Sequence, residues 1–133
     1  MVEKIKVSSN KRCQLIDITP EIKKIIEKEK LKNGIVHIYC PHTTAGITIN
    51  ENYDPTVKDD IVETLGKLIP YHSAYSHTEG NADAHIKASI VGSLVSVFVE
   101  NGKLQLGTWQ GIFFCEFDGP RTREVWLKFT KDG

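Results

Sequence analysis

Between His77 and His85 the sequence reads HTEGNADAH, with His77, Glu79, Asn81, Asp83 and His85 at every second position. The intervening residues, Thr78, Gly80, Ala82 and Ala84, are all small. Each of the five polar residues can bind a metal, a proton or an anion. If the segment is extended, successive side chains alternate, so the five share one side and the small residues pack on the other. The polar side can then line a cavity wall. Two chemistries compete for it. His77 and His85, with a third ligand such as His42, can hold zinc in an open catalytic-type site. Alternatively, the imidazoles and free helix N–H groups hold a phosphate, with a histidine moving protons near neutral pH. A divalent metal, zinc or magnesium, suits these donors, and no organic cofactor is implied. The bland alternative is a polar loop ending in an Asp83 helix cap, and His-x7-His is not a compact metal motif.

Two further segments concentrate reactive groups. In CPHTTAGITINE, Pro41 interrupts strand pairing and is followed by His42, Thr43 and Thr44. Asn50 and Glu51 close the next strand, and Ala45 and Gly46 are small enough for a ligand to approach the backbone. Taken alone, His42 reads more readily as a loop residue making local hydrogen bonds. In GTWQGIFFCEFDGPRTR, Trp109 and Gln110 precede an apolar strand, and Arg121 and Arg123 follow a DGP turn. One pleat apart on one strand face, the two guanidiniums suit a phosphate or carboxylate. The competing reading pairs them with Glu116, Asp118 or Glu124, and for Arg123 that reading is preferred. Trp109 either stacks on a ring substrate or packs. His37, alternating with Ile35 and Tyr39, reads as a satisfied structural histidine, and His72 has no partner suggested by sequence.

These segments must be carried by regular elements. EKIKVSS alternates as a strand, and CQLIDI reads as its hairpin partner. In TPEIKKIIEKEKLKNG, Thr19 as cap, Pro20, Glu21, the Ile22/Ile25/Ile26 stripe and a terminal Gly34 predict a helix. GIVHIYC and GITIN are strands. DPTVKDDIVETLGKLI predicts a second helix capped by Asp54, with Asp59 and Asp60 as dipole-favoured surface charges. The polar connection from Pro70 to Asp83 is long for a compact domain, a common mark of function. DAHIKASIVG reads as a short helix, LVSVFVENGKLQLG as a hairpin turning at Asn101-Gly102, and GIFFCEF and TREVWLKF as strands. Interleaved helices ahead of a strand-rich meander predict an α+β fold in one domain over residues 1–133, with a large mixed, mainly antiparallel sheet and two to three helices.

With 133 residues, 40% hydrophobic and 26% charged, the chain can bury roughly two-thirds of its unfolded surface without staples. Lys plus Arg equals Asp plus Glu at 17 each, which argues against a nucleic-acid binder with a basic face. Cys13, Cys40 and Cys115 are odd in number and widely spaced, so buried reduced thiols are expected. The opening MVEKIKVSSN has no apolar signal core and no run approaches membrane-spanning length, so the expectation is a soluble, cytoplasmic protein without a membrane partner.

Together HTTAGITINE, HTEGNADAHIKA and LGTWQGIFFCEFDGPRTR resemble the signature of the YjbQ family, also called UPF0047 and described as secondary thiamine-phosphate synthase. Three long motifs in the same order span roughly residues 34–129; the first thirty or so match only in pattern. The resemblance implies an α+β fold, a homotrimer, and a site between subunits binding a small phosphorylated metabolite. The residues carried over are His42, Thr43, Thr44, Asn50 and Glu51, then His77, Glu79, Asn81, Asp83 and His85, then Trp109, Gln110 and Arg121. The implied reaction joins a hydroxymethylpyrimidine diphosphate to a thiazole phosphate and releases pyrophosphate. In that reading His77, His85, Glu51, Glu79 and Arg121 are catalytic, Arg121 also holding phosphate. His42, His77 and His85 are the metal candidates. A zinc-dependent hydrolase and a non-catalytic metabolite-binding trimer are the alternatives.

Overall fold

The computed structural model describes residues 2–133. Eight strands and three helices follow one another as β1 (Val2–Ser8), β2 (Gln14–Asp17), α1 (Thr19–Lys28), β3 (Gly34–Tyr39), β4 (Ala45–Glu51), α2 (Pro55–Leu68), α3 (Ala82–Val91), β5 (Leu94–Glu100), β6 (Lys103–Leu104), β7 (Gln110–Glu116) and β8 (Thr122–Lys131). The fold is α+β, as expected. The strands form two antiparallel sheets, a five-stranded one in the order β1-β8-β3-β5-β6 and a three-stranded one in the order β2-β7-β4.

Strand β7 shows why the layers stack as they do. Its run GIFFCE is apolar on both faces, which suits a strand covered on both sides. Ile112 and Phe114 point into the core between the two sheets, joined there by Ile22 and Ile26 of α1 and by Val36, Ile38, Val97, Val125 and Leu127. Phe113 and Cys115 point the other way, onto Ala84 and Ala88 of α3, with half-buried Ile61, Val62 and Leu65 of α2 completing that second core.

The expected pairing of the first two strands is overturned: β1 pairs β8 and β2 pairs β7. The alternation of EKIKVSS and CQLIDI fixes which face is buried, but nothing between them is a tight-turn signal. The Asn101-Gly102 turn does close the β5–β6 hairpin, with φ of 50° and 75° at its two residues. Asp54 caps α2 through the Thr56 N–H at 2.9 Å. Thr19 does not cap α1; its hydroxyl accepts the Ile112 N–H at 2.8 Å, tying the helix to β7. Among the described residues no helix is long and apolar enough to cross a membrane.

Gly46, read above as a place for ligand approach, is approached by the protein itself. A Cβ there would stand 2.6 Å from the Gly92 carbonyl oxygen and 3.1 Å from Val91 Cγ1. Gly92 follows α3 with φ of 96°, and its carbonyl accepts the Ile47 N–H at 3.0 Å. Gly46→Ala should therefore push α3 off β4 and cost about 1–3 kcal/mol, read as a fall in the urea midpoint. An unchanged midpoint would contradict this close approach.

Candidate functional site

The motif residues gather at the two ends of β4. At its N-terminal end, His42 and Thr43 share an open cavity of about 390 Å³ with Ala45, and with His85, Ala88 and Ser89 of α3. His85 meets His77 with ring centroids 5.2 Å apart, nearly perpendicular, and His77 Nε2 lies 3.8 Å from Glu79 Oε2. His77 and Glu79 are exposed, and the segment from His77 to Gly80 bends rather than running as a strand, with Gly80 at φ 82°. The alternation therefore gives no flat polar wall. It gives an exposed His77–Glu79 pair brought back against His85.

Asn81 caps α3 by position, where Asp83 was expected, although its side chain makes no capping bond. Its Nδ2 donates to Asp118 Oδ2 at 3.0 Å, and its Oδ1 is buried without a partner among the described residues. Asp118 also holds Arg121: the guanidinium donates to the Asp118 carbonyl at 2.8 Å and to Oδ2 at 3.0 Å. Arg121 remains half exposed, so one face of its donor fork is available to an anion.

Arg121 and Arg123 do not share a strand face. Arg121 lies in the turn, whereas Arg123 points inward and is 4% exposed. Arg123 forks onto Glu116, with Nε 2.9 Å from Oε1 and Nη2 on Oε2, and also donates to the Thr44 hydroxyl at 2.8 Å. Glu116, fully buried, further accepts the Ser9 hydroxyl at 2.9 Å and the Asp118 N–H at 3.0 Å. Burial alone would raise the Glu116 carboxyl. Arg123, the Asp118 N–H and Ser9 together outweigh it and hold the group below the usual carboxylate range. Thr44 thus serves this internal network, and the pair fixes the turn that carries Asp118 and Arg121.

His42 has one nitrogen committed. Its Nε2 sits on the Glu124 backbone, 2.9 Å from the N–H and 3.1 Å from the carbonyl oxygen, so it accepts from the one or donates to the other according to the ring's tautomer. In either tautomer Nε2 is engaged by backbone, leaving Nδ1 as the ring's free nitrogen. Burial, then the Arg123 charge, lowers the His42 pKa from 6.5. An NMR titration should show His42 taking up its second proton at a lower pH than a free imidazole. An ordinary or raised midpoint would refute this arrangement. Among the described residues no three His, Cys, Asp or Glu side chains stand close enough to hold a metal. One chain's donors do not fit a His42–His77–His85 zinc site.

Asp83 is fully buried and does not face the cavity. Both its oxygens accept from Arg12, at 2.9 and 3.0 Å, and Lys87 Nζ lies 3.3 Å from Oδ2. Lys87 is itself buried, and the Arg12 guanidinium lies 3.7 Å over the Tyr71 ring. Sequence reasoning missed Arg12, Tyr71 and Lys87. The i,i+4 spacing of Asp83 and Lys87 was a readable signal; Arg12, 71 positions away, left none. His37 is satisfied as expected, between the Ser96 and Thr130 hydroxyls at 2.8 and 3.0 Å.

At the other end of β4, Glu51 pairs across to Gln110, one strand length of about 20 Å from the His42 end. Glu51 Oε2 accepts the Tyr53 N–H, Gln110 Oε1 accepts the Gly107 N–H, and Asn50 Oδ1 accepts the Glu51 N–H. Trp109 is exposed, its ring centroid 5.0 Å from that of Tyr53. Cys40 and Cys115 are buried free thiols, and burial pushes Cys115 up to about 12.

A model of the family described as UPF0047 protein YjbQ-like matches residues 3–132. UPF0047 protein MJ1081 of Methanocaldococcus jannaschii is 55% identical over 132 residues, covering 99% of this chain and 96% of the relative. UPF0047 protein YugU of Bacillus subtilis is 50% identical, covering 96% and 98%. A crystal structure of an uncharacterized conserved YjbQ/UPF0047 protein from Clostridium acetobutylicum superposes with a TM-score of 0.94 at 50% identity, covering 96% of this chain and 99% of that one. A YbjQ-like protein of unknown function from Sulfolobus solfataricus gives 0.93 at 34% identity, covering 99% and 97%.

Proposed function

The chain belongs to the UPF0047 YjbQ-like family, and on that premise we propose that it is a small-molecule enzyme that binds a phosphorylated metabolite beside His42, His77 and His85. Supporting this is an open cavity shared by His85, on α3, and the His42–Thr43 loop, with His77 from the long loop set against the His85 ring. Arg121 stands beyond Asp118 and Asn81. The reaction of the resembling synthases suits such a group. The thiazole nitrogen attacks the pyrimidine methylene, the new C–N bond forms, and the C–O bond to pyrophosphate breaks. The half-exposed Arg121 fork can take up the charge of the departing pyrophosphate. His85, backed by His77 and Glu79, can hold or deliver a proton at the leaving oxygens.

The second motif cluster enters this reading through assembly. Asn50, Glu51, Trp109 and Gln110 are too far from His85 to meet the same small molecule within one chain. In a homotrimer, a neighbour's Glu51 and Trp109 can complete the site, the ring stacking on Trp109 and the carboxylate binding an amino group.

Product formation from the two thiamine precursors tests the activity. His85→Ala should lower turnover about 10²–10⁴-fold, the usual contribution of a proton-transfer group. Absence of turnover in the wild-type protein would overturn the assignment. Mixing two inactive variants, His85→Ala and Glu51→Ala, should restore part of the activity if each site draws on two subunits. Stoichiometric zinc lost in His77→Ala would instead assign the site to metal-dependent hydrolysis.

A further inference from the structure

A second cavity, of about 550 Å³, lies at the opposite end of the five-stranded sheet, and its rim carries Lys23, Lys30, Lys32 and Lys103. β3 separates it from the His42 loop by about 20 Å over its six residues. Glu27 is the one carboxylate lining it, so four ammonium groups face one negative charge. The chain as a whole has no net charge, so this concentration is not a background excess. None of the four lysines has a carboxylate within 4.0 Å among the described residues, unlike Lys28, Lys67 and Lys87.

The walls are fixed by backbone. The Gly102 N–H donates to the Lys32 carbonyl at 2.9 Å, and the Asn101 N–H donates to Asn33 Oδ1 at 3.0 Å. The β5–β6 turn is thereby clamped onto the segment leading into β3, so Lys32 and Lys103 come from facing walls. The Lys32 ammonium reaches over the turn, 4.0 Å from where a Gly102 Cβ would stand. Buried Ile26 and half-buried Leu104 give the cavity an apolar floor. Like charges held around one concave space repel, and a concave wall focuses their field on whatever anion enters.

We infer that this cavity binds a small, multiply phosphorylated molecule with an apolar or aromatic part, of the nucleoside di- or triphosphate class. Its volume falls in the range of small-ligand pockets. The lysines supply point charges for the phosphates, and the floor supplies a surface for a ring. This site is separate from the cavity lined by His42 and His85 and does not depend on the function proposed for it.

The test uses the full chain at low salt, with ATP and inorganic triphosphate as probes. Lysine acetylation, read by mass spectrometry, locates the contact. ATP should slow modification of Lys23, Lys30, Lys32 and Lys103 at least about fivefold and leave Lys11 and Lys128 unchanged. In titration calorimetry ATP should bind more tightly than triphosphate, and raising the salt should weaken both. Lys30→Gln combined with Lys103→Gln should weaken ATP binding about tenfold, a loss of about 1.4 kcal/mol. Lys11→Gln combined with Lys128→Gln, with the same change in net charge, should not. Uniform protection of all lysines, equal loss in both double variants, or no binding at millimolar ATP would overturn the inference. So would tighter binding of a single-stranded oligonucleotide at the same lysines, because that would assign the basic face to nucleic acid.

Discussion

Replacing Arg123 by Met is expected to lower the unfolding free energy by about 3–5 kcal/mol, the cost of leaving a buried charge without its partner. Glu116 has no solvent exposure, and Arg123 occupies both of its oxygens. With the guanidinium gone, only the Ser9 hydroxyl and the Asp118 N–H remain to hold the carboxylate. Glu116→Met together with Arg123→Met removes both charges and should recover most of the loss, since an apolar pair of similar volume often matches a buried ion pair. Urea denaturation at one fixed protein concentration measures both. A double variant as unstable as the single one would show that shape, not charge, dominates here. The local consequence reaches the candidate site, because the pair anchors the turn from which Asp118 and Arg121 project.

Two buried carboxylates, Glu116 and Asp83, set an acid limit. Burial opposes the Asp83 charge, as it does that of Glu116, yet hydrogen bonds and nearby cations hold both carboxyls below the ordinary range. A carboxyl with a depressed folded pKa binds its proton more readily when unfolded. Its stabilising effect is therefore full above the unfolded pKa and is lost as pH falls through the folded one. Stability should begin to fall below about pH 6.5, where unfolded His42 takes up a proton that the folded ring resists, with a further decline below about pH 4 as the unfolded carboxyls protonate. The decline should be shallower in the Glu116→Met/Arg123→Met protein, which lacks one of the two groups. Equal slopes would remove Glu116 from the account.

What the sequence made legible divides along a physical line. Periodicity identified most elements because burial is a local pattern: GIFFCEF is apolar on both faces, and the Ile61/Leu65 spacing marks a helix side. Turn chemistry identified the Asn101-Gly102 hairpin and the Asp54 cap, because both depend on a few adjacent residues. Beyond that hairpin, strand partners were not legible. β1 finds β8 across the chain, and alternation fixes a face without specifying which neighbour lies beside it. The site split the same way. The motif spacing brought out His77 and His85, which do meet, but the role of each polar residue depended on partners elsewhere. Thr44 is claimed by Arg123, His42 Nε2 by the Glu124 backbone, and Asp83 by Arg12. A polar residue in a motif therefore reads equally as ligand or as scaffold until its distant partner is known.

Asp83 gives the strongest case of such a scaffold residue, and Asp83→Ala should also cost about 3–5 kcal/mol. It would leave Arg12 and the buried Lys87 facing each other with no anion between them. Lys87→Met should cost less, because Asp83 keeps its two-pronged bond to Arg12, and the combined Asp83→Ala/Lys87→Met variant should be more stable than Asp83→Ala alone. The order of the three midpoints in urea follows from counting uncompensated charges and is independent of any activity. Function should follow the same order. Arg12 ties α3 to the segment between β1 and β2 through Asp83, and α3 carries His85 two residues further on. Where the variants remain folded, the His77–His85 contact should loosen most in Asp83→Ala, seen as the loss of ring-to-ring nuclear Overhauser contacts. Asp83→Asn separates scaffold from ligand. It keeps the shape but removes the one negative charge between Arg12 and Lys87, so it should lose stability along with any bound metabolite. Full stability with abolished metabolite binding would return Asp83 to the cavity as a binding group, and the scaffold assignment would fall.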